Sequence, residues 1–174
     1  MTVFRIKADY SEQIVVRASI DRAREFFGEI RNFVELMPGI ESIRREANGV
    51  MRWMVRAEVP ALGTMRQAFT VELTEDRPER IEWSPAAQEN KNYLRYEAIF
   101  EPRGARSTLV RIAQHVELRR KHAKELHLLA GLIGEGRISA EMQKRVTEMI
   151  KTFLERSRTR LEGQGLSLVE EPGS

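Results

Sequence analysis

The sequence predicts an α+β fold in which an antiparallel sheet, apolar on one face, is covered by one late amphipathic helix. Five segments within residues 50–118 alternate apolar and charged side chains with a period of two, the pattern of strands that bury a single face. Turns rich in Pro, Gly and Asn separate these segments, which sets them in consecutive hairpins. Residues 139–161 then change to a period of 3.6, and a one-sided sheet needs such a cover.

The first strand keeps one phase over a long run, Phe4, Ile6, Ala8, Tyr10, then Ile14, Val16, Ala18 and Ile20, with a bend expected near Ser11. Asp21 is a candidate helix cap, and Ala23, Phe26, Phe27 and Ile30 follow on one helical face. Asn32 opens a second short helix carrying Phe33, Val34 and Met37, which Pro38-Gly39 ends. Residues 40–46 read as a strand, and Asn48-Gly49 turns it into the next.

Residues 50–59 place Met51, Trp53, Val55, Ala57 and Val59 inward, against Arg52, Arg56 and Glu58. Residues 64–73 repeat the scheme with Met65, Gln67, Phe69, Val71 and Leu73 inward. A shorter strand at 80–83 carries Trp83, and residues 92–100 point Leu94, Tyr96, Ala98 and Phe100 inward. Residues 108–118 do the same with Val110, Ile112, Gln114, Val116 and Leu118.

Ser139 is the expected cap of the long helix, whose apolar face is Met142, Val146, Met149, Ile150, Phe153, Leu154 and Leu161. Residues 1–162 thus form one domain, and 163–174 are expected to be a flexible C-terminal tail. Before the helix, Leu126, Leu128, Leu129, Leu132 and Ile133 are interrupted by Gly131, Gly134 and Gly136. This segment reads either as a flap whose leucines close a pocket and whose glycines let it open, or as a permanent cap on the core.

A chain of 174 residues suffices for one domain with a sizeable core. The lack of cysteine excludes a disulfide framework, a thiolate metal site and a cysteine nucleophile, and suits a reducing, cytoplasmic location. No apolar run approaches the roughly 18 residues of a membrane span, and the polar residues 1–9 do not read as a signal peptide. The net charge of +3 is too small and dispersed to demand nucleic acid, and none is expected as a partner. The densest basic stretch, Arg119-Arg120-Lys121-His122-Ala123-Lys124, reads either as a contact for phosphates or lipid head groups, hence peripheral membrane contact, or as a solvated loop.

Phe33-Val34-Glu35-Leu36-Met37-Pro38-Gly39-Ile40-Glu41-Ser42-Ile43 resembles the segment after the first helix in START-related (SRPBCC) proteins. Pro78-Glu79-Arg80-Ile81-Glu82-Trp83 and Tyr96-Glu97-Ala98-Ile99-Phe100-Glu101-Pro102 are similar to the same superfamily, in its polyketide cyclase/dehydrase and coenzyme-Q-binding branch. The resemblance runs over about residues 11–161 and rests on element order and weak motifs. It implies a helix-grip fold, a curved antiparallel sheet wrapped around the long C-terminal helix with an apolar cavity between. Members of the superfamily bind lipids, quinones, polyketides or hormones, and some are catalysts.

Catalytic signatures are scarce. His122 and His127 are five residues apart, not the four that sets two ligands on one helical face, and His115 falls on the charged face of its strand. No nucleophile elbow, Walker loop or dinucleotide fingerprint occurs. No catalytic residue, metal site or cofactor is therefore expected. The informative residues are polar ones in apolar phase: Gln67, Gln114 and Tyr96 either bond neighbouring backbone and trapped water or orient a ligand's polar group. Trp53, Phe69, Trp83 and Phe153 supply aromatic wall, and Met65, Met142, Met149 and Val146 supply adaptable wall.

The strand arginines Arg52, Arg56, Arg66, Arg95 and Arg111 all fall outward by parity, which disfavours carbonyl polarisation in the cavity. The expected function is non-catalytic binding or transport of a hydrophobic small molecule or lipid. The alternatives are a polyketide cyclase/dehydratase and a membrane- or protein-interaction module using a basic surface.

Overall fold

The computed structural model describes residues 3–169. Strand β1 (Phe4–Val16) leads to helices α1 (Ile20–Gly28) and α2 (Ile30–Leu36), then to β2 (Ile40–Arg45), β3 (Val50–Val59), β4 (Gly63–Arg77), β5 (Arg80–Pro85), β6 (Asn92–Pro102) and β7 (Thr108–Arg120). The short helix α3 (Ala130–Ile133) and the long helix α4 (Glu135–Val169) complete the order. One antiparallel sheet takes the strands as β1-β7-β6-β5-β4-β3-β2. It is a meander closed at one side by the return of β1 to β7.

The strand phases hold except at Leu73, expected inward but exposed where the β4–β5 register shifts. Met51, Trp53, Val59, Met65, Phe69, Leu94, Tyr96, Ala98 and Phe100 are buried, and the five outward arginines of the strands are exposed. Turn chemistry holds too: Asn48 and Gly49 both adopt positive φ, 62° and 75°, as a tight hairpin between β2 and β3 requires. Gly39 has a stricter reason to be glycine. Its φ is +89°, and a Cβ there would lie 2.8 Å from the carbonyl oxygen of Arg56, whose amide donates to Gly39 O at 2.7 Å.

Three local expectations are corrected. Ser19, not Asp21, caps α1, accepting from the Arg22 amide at 3.3 Å. Asn32 lies inside α2, which Glu29 caps; the Asn32 amide instead donates to Phe26 O at 2.8 Å. The long helix begins at Glu135 rather than at Ser139, because Gly134 (φ +88°) already ends α3 and frees the chain to start again. The segment expected as a tail begins within α4, and its residues 170–174 lie outside the described residues. The expected bend in β1 does not interrupt pairing, which runs without a shift from Phe4 opposite Arg120 to Val16 opposite Thr108.

An edge strand exposes a row of unpaired amides, and β1 has its outer row covered by α4. The amides of Arg5, Lys7 and Asp9 donate to Glu135 Oε1 (2.9 Å), Ser139 Oγ (3.1 Å) and Gln143 Oε1 (3.0 Å). Four helical residues rise about 6 Å and two strand residues about 6.8 Å, so the two repeats stay in step over two turns. Further along, the Arg17 amide donates to Glu162 Oε1 (3.1 Å). Ser139, displaced from its capping role, is one rung of this ladder.

Between sheet and helix, Phe33 stacks on Phe153 (centroids 5.3 Å apart) and meets Tyr96 edge-on (5.0 Å) and Trp53 at a tilt (5.4 Å). Each such pair contributes about 0.5–1.5 kcal/mol beyond its buried area. This aromatic half of the interior is filled.

Candidate functional site

The other half of the interior, toward the α3 end of α4, leaves a cavity of about 30 Å³ between α4 and strands β3, β4, β6 and β7, room for about two waters. Met65, Phe69, Met142, Val146 and Met149 are part of its apolar wall, and Gln67 and Gln114 are among its polar residues. These are the expected ligand-lining residues that the structure brings together. Trp53, Trp83, Tyr96 and Phe153 do not line it. Trp53, Tyr96 and Phe153 belong to the packed aromatic cluster, and Trp83 lies against Trp53 at 6.5 Å. Parity placed them on the right face but carries no information on position along the helix.

Val55, Ala57, Leu94 and Val116 also line the cavity. Each has the inward phase of its strand, so the signal was present without being selective. Arg145 is the residue that sequence reasoning missed. It lies on α4 at the cavity wall, with Nη1 donating to Glu148 at 3.0 Å and Nε buried without a partner.

The two inward glutamines differ. Gln114 is buried, and its Oε1 has no hydrogen-bond partner among the described residues. An acceptor left unpaired in such a setting costs about 1–3 kcal/mol. Gln67 Oε1 is instead committed, accepting from Asn92 Nδ2 (3.1 Å) and from Arg120 Nη2 (3.1 Å).

Arg120 is the second residue that reading by parity passed over. β7 continues to Arg120, in phase with Gln114 and Leu118, so the strand arginines do not all face outward. Its guanidinium donates to Lys91 O (3.1 Å), Arg119 O (2.8 Å) and Asn92 Oδ1 (2.9 Å) as well as to Gln67. All four acceptors are neutral. Burial pushes its pKa below the usual arginine value, yet it stays a cation at neutral pH.

Asn92 also donates to Ala68 O at 2.8 Å, so the Gln67–Asn92–Arg120 cluster ties β4 to β6 and β7 where short β5 has ended. On its far side opens a second, wider cavity of about 730 Å³, lined by Val3, Arg5, Lys91, Tyr93, Arg119, Arg120, Lys121 and Glu125 among others. Gln67 faces the inner cavity and Arg120 the outer one, and their hydrogen bond is a wall the two share.

The segment expected to be a flap or cap is neither for most of its leucines. Leu128 and Leu132 are 82% and 86% exposed and Leu129 is 44% exposed, while Ala130 is buried and Leu126 and Ile133 pack partly on the core. The short helix α3 turns Ala130 inward and Leu132 out.

Among the described residues no group of three or more His, Asp or Glu side chains could hold a metal ion, and no helix is long and apolar enough to cross a membrane. No protein-family model matches the chain, and no curated protein sequence matches it. Solved structures do. A START superfamily protein from Mycobacterium smegmatis aligns with a TM-score of 0.61 at 16% identity, over 90% of this chain and 98% of that one. The chain has a START-like helix-grip fold. The Zhui aromatase/cyclase from Streptomyces sp. R1128 shares this START-like fold, with a TM-score of 0.60 at 14% identity over 89% of this chain and 96% of that one. A conserved protein from Geobacillus kaustophilus aligns at 0.62 with 9% identity, over 91% and 96%.

Proposed function

We propose that the protein binds a hydrophobic small molecule or lipid in the inner cavity and does not transform it, acting as a cytoplasmic carrier. The observation that supports this reading is Gln114: an unpaired amide oxygen set in a wall of Met65, Met142, Met149, Phe69 and Val146. An apolar pocket with a small number of placed polar groups is the usual form of a small-molecule site. The three methionines are unbranched and adapt their rotamers, so the cavity enlarges by their displacement when a ligand enters. A ligand hydroxyl or amide donating to Gln114 Oε1 is favoured over a purely hydrocarbon one.

Native mass spectrometry of the purified protein, with displacement of an apolar fluorescent probe, tests this. A retained small molecule and probe binding weakened about threefold to tenfold by Gln114→Leu for hydroxyl-bearing competitors support it. A protein that is empty and takes up no probe refutes it. A second reading, an aromatase/cyclase, is favoured by Arg145, a lining residue of the cavity whose guanidinium, now paired with Glu148 at 3.0 Å, would have to turn inward to polarise a ketone. Turnover of a poly-β-ketone, abolished by Arg145→Met, would establish that reading instead.

A further inference from the structure

From the exposed leucines and the basic cavity beside them, we infer that this end of the molecule docks on the surface of an anionic phospholipid bilayer. The inference is independent of what the inner cavity holds.

Large apolar side chains that stand in solvent together mark a contact surface when charge surrounds them. Leu128, Leu129 and Leu132 are the most exposed of the large hydrophobic residues near α3. Their exposure is built in, because α3 buries Ala130 and rests Gly131 against Ala123 of the 3₁₀ turn Ala123–Glu125. That turn carries Glu125, which stands on the rim of the outer cavity with Lys121. The leucines and the cavity therefore share one end of the fold.

The cavity's charge is unbalanced. Arg119 is paired with Glu117 at 2.8 Å and lies over the Tyr93 ring at 4.3 Å. The side-chain cations of Arg5, Lys91, Arg120 and Lys121 make no ion pair within 4.0 Å among the described residues, the nearby carboxylates of Glu135, Glu89 and Glu125 being taken by the backbone amides of Arg5, Lys91 and Lys121, and Glu125 is the one acidic residue on the lining. Arg120 is held in place by its four neutral acceptors, so a fixed, buried cation lines the cavity together with the exposed Lys91 and Lys121. Lys124 adds a further exposed cation to the same turn.

Apolar tips flanked by cations match the boundary of a membrane, where acyl chains lie just beneath a layer of anionic phosphates. The leucines enter that boundary and the cavity receives a lipid phosphate. A protein partner would need an acidic, apolar surface of matching shape, and nothing in the fold calls for one.

Cosedimentation of the full chain with vesicles tests the inference, comparing phosphatidylcholine alone with phosphatidylcholine containing about one third phosphatidylserine. Binding is expected only to the anionic vesicles and is expected to fall away in about 1 M salt, where the screening length is about 3 Å. Lys121→Gln and Lys91→Gln should each weaken partitioning about fivefold, and Leu128→Ser with Leu132→Ser should weaken it tenfold or more. These side chains are exposed, so melting temperatures should not change, and Arg106→Glu at the opposite end of β7 should bind as wild type. Equal binding to neutral vesicles, or full binding by the double leucine variant, overturns the inference. So does stabilisation by inorganic phosphate in a melting assay without vesicle binding, since the cavity would then serve a free anion.

Discussion

Replacing Arg120 with methionine tests the polar cluster that separates the two cavities. Methionine keeps the packing of the side-chain stem and loses all four hydrogen bonds of the guanidinium. Two of the acceptors keep a second donor: Lys91 O retains the Arg119 amide at 2.7 Å, and Gln67 Oε1 retains Asn92 Nδ2 at 3.1 Å. Asn92 Oδ1 accepts from Arg120 alone among the described residues. Left buried and unpaired, it costs about 1–3 kcal/mol. Removing a desolvated cation offsets part of the remaining loss.

The expected destabilisation is about 2 kcal/mol, a fall of about 4–8 °C in melting temperature for a domain of this size. Asn92→Ala removes the same acceptor, so the double variant should be more stable than the sum of the single losses by about 1 kcal/mol or more. Urea denaturation of the four proteins measures this cycle. Additivity to within about 0.5 kcal/mol, or wild-type stability of Arg120→Met, would refute the reasoning.

Two further outcomes follow from the fold. Gln143→Ala removes the partner of both the Asp9 amide (3.0 Å) and the Asp9 carbonyl (2.7 Å); it should cost about 1 kcal/mol and speed hydrogen exchange at Asp9, and an unchanged exchange rate would show that α4 does not hold this edge. Burial holds the Tyr96 hydroxyl well above the usual tyrosine pKa of 10.0, and a hydrogen bond to Glu12 pushes Tyr10 up to about 12. Above pH 10 the unfolded chain therefore sheds these protons before the folded one, and stability present at neutral pH is lost as pH rises. Tyr96→Phe should flatten that fall and, by deleting an unpaired hydroxyl, leave neutral-pH stability equal or higher; denaturation between about pH 8 and about pH 11 with the same slope in both proteins would count against it.

The sequence by itself determined the layers. Period-two strands with one charged face can bury only the other, and the period of 3.6 after residue 139 names the element that covers it. Gln67, Gln114, Met65, Met142, Val146 and Met149 were legible as cavity residues because each stands in the inward phase of its element. Trp53, Trp83, Tyr96 and Phe153 stand in that same phase and are core, since phase gives the face of an element and not the height along it.

Only the tertiary structure decided the rest. The return of β1 to β7 joins strands from opposite ends of the sheet's sequence, Phe4 with Arg120 and Val16 with Thr108, and α4 side chains meet β1 amides in a spacing that neither segment announces. Arg120 became an interior residue because β7 runs two residues past the last apolar position, where Gln67 and Asn92 from other strands supply acceptors. Leu128 and Leu132, before and within α3, became exposed because Ala130 takes the buried place there. In the first two cases a partner distant in the chain outweighs local hydrophobicity, and that partner exists only once the sheet has closed.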